Sequence, residues 1–143
     1  MRKFICTGML VFMVILAAVP AYGATGGVKS TGTQGEITPQ YTYISLLTPG
    51  LSINSSGKAI CSGMASAYNS SHTIILTVEL QKSGDWSTVK SWSASATGGS
   101  VADVYENYYV ARGTYRVCAT AKVYNASGAL LEKKSIYSAT IKY

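Results

Sequence analysis

Two tryptophans six positions apart, Trp86 and Trp92, bracket Thr88 and Lys90, and Tyr105, Tyr108 and Tyr109 gather close behind them around Asn107. Indole and phenol rings offer an apolar face and a polar tip, which suits stacking on sugar rings or on peptide side chains. On a straight strand alternate residues share a face, so Trp86, Thr88, Lys90 and Trp92 read as one amphipathic stripe. Six residues at about 3.3 Å each set the two indoles roughly 20 Å apart, a reach for a polymer of several units rather than a single small sugar. The competing arrangement has one tryptophan capping the core and the other covering a sheet edge. The tyrosines make a second contact surface of low entropy cost, or are ordinary strand residues.

Residues able to do covalent or acid–base chemistry are sparse. After the first two dozen residues the chain has one histidine, His72, in a segment that reads as a turn, and no Gly-x-Ser-x-Gly nucleophile elbow. Six carboxylates are available, Glu36, Glu79, Asp85, Asp103, Glu106 and Glu132. They read as tether, outward strand face and loop positions, with no pair set to flank a cleft as glycosidases require. No paired-histidine motif, CxxC, EF-hand loop or phosphate-cradling glycine motif occurs. The expectation is a non-enzymatic protein needing no metal or cofactor.

Cys61 and Cys118 pose a conflict. Two cysteines in an exported domain read as one disulfide, and closing so long a loop stabilises by about 4 kcal/mol in the chain-entropy picture. Yet Cys118 alternates with Val117 and Ala119 and so shares a face with Arg116, Thr120 and Lys122. If Tyr115, Val117 and Ala121 face the core, a bond to Cys61 requires a bulge or a register change. Two independent thiols are the alternative.

The elements that must position these residues are strands. Residues 73–82 alternate strictly, with Ile74, Leu76, Val78 and Leu80 on one side and Thr77, Glu79 and Gln81 on the other, the period of a half-buried strand. Residues 114–124 do the same. Further strands are expected over 41–47, ending at Thr48-Pro49-Gly50 and resuming over 51–53, then over 58–68, 86–93, 101–105 and 130–143. Turn clusters separate them, among them Asn54-Ser55-Ser56-Gly57, Asn69-Ser70-Ser71, Ser83-Gly84-Asp85 and Asn125-Ala126-Ser127-Gly128. Three of these contain Asn-x-Ser triplets, which read as turn chemistry or as glycosylation acceptors in a eukaryotic route. Turns every 10 to 15 residues with no amphipathic helix predict an all-β, single antiparallel sandwich of about seven to eight strands over 41–143, resembling immunoglobulin-like and fibronectin-type domains. The aromatic before the second cysteine departs from that pattern, because Tyr115 sits three residues ahead of Cys118 rather than two.

Ahead of this domain, Arg2 and Lys3 precede an apolar run from Phe4 to Val19 and a small-residue exit at Pro20-Ala21-Tyr22-Gly23-Ala24. That is the layout of a secretory leader over 1–23, cut after Gly23 or after Ala21, and the run is shorter than a membrane helix needs. Residues 24–40 are rich in Gly, Thr and Ser and read as a flexible tether. Beyond the leader ten Lys and Arg face six acids, a net charge of +4. The positives are scattered and only Lys133 and Lys134 are adjacent. Such mild basicity suits anionic cell-wall polymers or a merely solvated surface, and lacks the focused stripe of a nucleic-acid binder.

At Leu80-Gln81-Lys82, Gly84, Trp86, Val89-Lys90 and Trp92, and at Gly113-Thr114-Tyr115-Arg116-Val117, the chain resembles a family of small exported proteins of unknown function from clostridia-like Gram-positive bacteria. The resemblance spans most of residues 41–143 and the leader-plus-tether layout; it implies export and a sandwich-like fold, and assigns no residue a role. The resulting expectation is a secreted domain, free or cell-wall associated, that contacts an extracellular or cell-wall polymer, carbohydrate above all. A structural, self-assembling or surface-protein-binding role is the alternative. No nucleic acid and no membrane span in the mature chain are expected, and the oligomeric state is left open.

Overall fold

A computed structural model of the chain describes residues 40–143. The expected leader and, apart from Gln40, the expected tether lie outside those residues. Eight strands run in order: β1 (Ile44–Ile53), β2 (Lys58–Ala67), β3 (Thr73–Lys82), β4 (Ser87–Thr97), β5 (Ala102–Tyr109), β6 (Thr114–Tyr124), β7 (Leu130–Tyr137) and β8 (Ile141–Lys142). They form two antiparallel sheets, a three-stranded one ordered β1-β2-β5 and a five-stranded one ordered β4-β3-β6-β7, with β8 also paired to β6. The sheets pack face to face, β2 over β3 and β1 over β6. The fold is the expected all-β sandwich. Among the described residues no helix is long and apolar enough to cross a membrane.

Alternation builds the core. Ile74, Leu76, Val78 and Leu80 of β3 and Tyr115, Val117, Ala119, Ala121 and Val123 of β6 turn inward to meet Ile44, Leu47, Ala59, Cys61 and Ala65. Small residues on β2 let the sheets close: a Cβ on Gly63 would lie 2.6 Å from Val78 Cγ2 of the facing sheet, closer than van der Waals contact permits. Tyr115 is buried, and its hydroxyl donates to the Ala111 carbonyl (2.9 Å), fixing the crossover from β5 to β6.

Several boundaries differ from the sequence reading: β1 starts at Ile44, β4 runs on to Thr97 and β5 to Tyr109, and two further differences have a visible cause. Thr48-Pro49-Gly50 does not stop the first strand, because β1 is an edge strand that pairs only with β2 and tolerates a residue lacking an N–H. The last strand breaks at Ser138, whose backbone N–H donates to the Val117 carbonyl while its Oγ accepts from the Val117 N–H (2.8 Å), so β7 and β8 both attach to β6.

The expected Cys61–Cys118 disulfide is not formed; both are free thiols. Cys61 faces the core, whereas Cys118, 4% exposed, lies on the outer face of the five-stranded sheet. The β3–β6 register runs without a shift, so the alternation is kept and no bulge turns Cys118 inward. Burial pushes the Cys61 thiol up to about 11. Thiol titration of the domain spanning 40–143, which leaves out Cys6, is therefore expected to count both cysteines in denaturant and neither promptly when folded; a domain with no titratable thiol before reduction would contradict this arrangement.

The asparagine turns are built as the sequence implies. In each of the three, the Asn Oδ1 accepts from the backbone N–H and the Oγ of the serine two residues on, for example Asn125 with Ser127 at 3.1 and 2.7 Å. These are side-chain-closed Asx turns.

Candidate functional site

The five-stranded sheet presents an outer face with a cross-strand order fixed by its register. Moving from the hairpin end, successive rows read Thr88–Gln81–Arg116, then Ser91–Glu79–Cys118–Tyr137, then Ser93–Thr77–Thr120–Ser135, and last Ser95–Ile75–Lys122–Lys133. Polar side chains occupy this face because β3 and β6 spend their other face on the core. Thr77, Glu79, Gln81, Cys118, Thr120, Lys122, Lys133, Ser135 and Tyr137 line an open groove of about 370 Å³.

One end of the groove is braced by a three-layer stack. The Arg116 guanidinium lies 4.0 Å from the centroid of the Trp86 ring and 4.0 Å from that of Tyr137. Its Nε donates to Gln81 Oε1 at 2.9 Å, which fixes the plane of the guanidinium. Two aromatic rings thus share one charge through cation–π contacts. Tyr137 remains half exposed and lines the groove. Trp86 reaches the stack through an unusual backbone, with φ at 57°, the left-handed region that bulky residues avoid. The preceding Asp85 accepts from the Ser87 N–H (3.0 Å), which draws its carboxyl below the ordinary range.

Hydroxyls fill the middle of the groove. Thr120 Oγ1 and Ser135 Oγ lie 2.7 Å apart and Thr77 Oγ1 and Ser93 Oγ 3.2 Å apart, so one row of four strands carries two hydroxyl pairs. Glu79 accepts from Thr88 Oγ1 at 3.3 Å. The other end holds Lys122 and Lys133, directly opposite in register.

The residues singled out from sequence do not come together. Trp86 and Trp92 lie on opposite faces of the sheet: Trp92 pairs with Val78 and packs against the core, while Trp86 sits outside over Arg116. A bulge at Val89 is the cause, because Leu80 opposes Lys90 while Gln81 opposes Thr88, which reverses the alternation between the two tryptophans. Lys90 thus belongs to the Trp92 side of an edge strand and is exposed.

Tyr105 and Tyr109 stand on the outer face of the other sheet, opposite Ser62 and Lys58, and Tyr108 alternates to the reverse side of β5 opposite Ala59. Tyr105 is 69% exposed and Tyr109 67%, with Met64 nearby on the same face. His72, in the β2–β3 turn, packs its ring against Tyr43 at 5.7 Å. Asp103 and Glu106 lie on β5 rather than in a loop.

Three residues were given no site role by the sequence reading. Arg116 and Tyr137 meet only through pairing of β6 with β7, and neither is marked by local pattern. Glu132 is the third: its carboxylate accepts from the backbone N–H groups of Thr42 (3.3 Å), Tyr43 (2.7 Å) and Ile44 (3.1 Å), clasping the start of β1 to β7. Desolvation works to raise its pKa, but those three hydrogen bonds and the Lys134 charge outweigh it and hold the carboxyl below its ordinary value. No protein-family model and no curated protein matches this sequence.

Proposed function

We propose that the chain is a secreted, non-enzymatic binding domain that contacts an extracellular or cell-wall polymer, carbohydrate in class, along the outer face of its five-stranded sheet. The observation that carries this reading is the Trp86–Arg116–Tyr137 stack at the head of an open, hydroxyl-lined groove. Held aromatic rings beside side-chain hydroxyls supply the two contacts a sugar polymer offers, apolar ring faces and hydroxyl hydrogen bonds. The sheet order β1-β2-β5 facing β4-β3-β6-β7, and the Tyr115 hydroxyl bonded back to Ala111, support the finer immunoglobulin- or fibronectin-like reading of the sandwich.

Co-sedimentation with insoluble cell wall, mucin and common polysaccharides tests it. Retention on one polymer is expected, falling at least tenfold in Tyr137→Ala and unchanged in the Tyr105→Ala/Tyr109→Ala pair on the opposite sheet. The reverse pattern would move the site to the three-stranded sheet. A second reading rests on the unpaired outer edge of β4, eleven residues long without a proline, which offers a strand for pairing between copies. Oligomers growing with concentration in light scattering would favour it; a monomer at high concentration would remove it.

A further inference from the structure

The far end of the groove carries a feature that folding alone disfavours. Lys122 and Lys133 are direct cross-strand partners on the same outer face, and like charges in that relation destabilise a sheet. Lys122 is partly buried and Lys133 exposed, and both line the groove. The outward positions of β3, β4, β6 and β7 carry a single carboxylate, Glu79, two rows away and in contact with Thr88. Lys134, by contrast, faces the other way and has Glu132 as its charge neighbour. The groove is thus lined by two positive charges and one acid, with the Arg116 guanidinium stacked on Tyr137 at its opposite end.

We infer that this groove selects an acidic polysaccharide, a chain of sugar rings bearing carboxylates, whose acid groups seat between Lys122 and Lys133 while a ring rests on Tyr137. The inference rests on the polymer-binding reading of this face and narrows it to a chemical class. Tyr137 and the Thr120–Ser135 hydroxyl pair favour a sugar ring over a phosphate chain, which has no ring to stack. The lysine pair favours a charged sugar over a neutral one. From the row of Gln81 to the row of Lys122 the groove extends over six strand residues, roughly 20 Å, room for several linked units. Neutralising the pair on binding turns the unfavourable cross-strand contact into a source of affinity.

The test measures binding to polygalacturonate, to the same polymer with its carboxyls reduced to neutral alcohols, and to inorganic polyphosphate of matched charge, at low and moderate salt. Binding to the acidic glycan at least tenfold tighter than to its reduced form is expected. Lys122→Gln/Lys133→Gln should erase that preference, while Lys90→Gln/Lys142→Gln, which removes equal charge elsewhere, should keep it. Because the pair repels, the first double variant should melt no lower than the parent, so lost binding is not lost folding. Equal binding to the acidic and reduced polymers would overturn this inference and leave the polymer-binding reading standing. Polyphosphate binding as tightly, and indifferent to Tyr137→Ala, would also overturn it by reducing the groove to bare charge. No binding to either glycan would also overturn this inference, while the polymer-binding reading would then be decided by the co-sedimentation panel alone.

Discussion

Glu132→Ala is expected to lower the stability of the domain by roughly 2–3 kcal/mol, the loss of three charge-assisted hydrogen bonds discounted for partial solvent screening. The backbone N–H groups of Thr42, Tyr43 and Ile44 converge on one carboxylate from the neighbouring sheet. Removing it leaves the Ile44 donor without its partner beside a fully buried side chain. Acid should reproduce the effect. The folded carboxyl titrates below its ordinary value, which is about 4.3 in an unfolded chain. Between those two values the unfolded state holds more protons, so stability rises with pH there. The contribution is complete above the unfolded value and lost as pH falls through the folded one. Chemical denaturation should therefore show a parent–variant gap that is wide near neutrality and narrows as the solution is acidified. A gap that stays constant through the acid range would mean that the carboxylate's charge is not what holds β1.

Trp86 separates binding from folding. Its left-handed backbone costs about 1–2 kcal/mol for a residue with a Cβ, and the stack on Arg116 holds it there. Trp86→Ala keeps that strain and removes the cation–π contact, worth about 0.5–2 kcal/mol. Trp86→Gly removes both. Both variants should lose polymer retention at least tenfold, since Arg116 and Tyr137 lose one wall of their support. The alanine form should be the less stable by about 1 kcal/mol. Equal stability of the two would show that the turn stores no strain, and full retention by either would take the indole out of the binding face.

The fold was largely legible in the sequence, and the site much less so. Strands β3 and β6 appear residue for residue because each divides an apolar face from a polar one, and the alternation is local. The same parity correctly set Cys118 against a core disulfide, although compartment logic argued for one. Thr48-Pro49-Gly50 misled because turn chemistry is also compatible with an edge strand, and edges are defined by pairing, not by composition. The tryptophan stripe failed for a related reason: the bulge at Val89 arises from the register with Leu80 and Gln81, which no pattern within β4 encodes. Arg116, Tyr137 and Glu132 were invisible as a class, since each acts through partners on a strand distant in sequence.

The strand directions set how a pull on the domain is borne. The chain enters at the pole where Ile44 pairs with Ala67, and Tyr143 lies at the opposite pole, its backbone paired both ways with Gly113. A force drawn between Gln40 and Tyr143 acts along β1 at one end and along β7 and β8 at the other. Their ladders to β2 and β6 are then loaded in shear, with many hydrogen bonds sharing the tension instead of parting one at a time. The Glu132 clasp and the Ser138–Val117 pair lie directly in that line of load. A sandwich strung this way spreads a stretching load over whole ladders of hydrogen bonds at once.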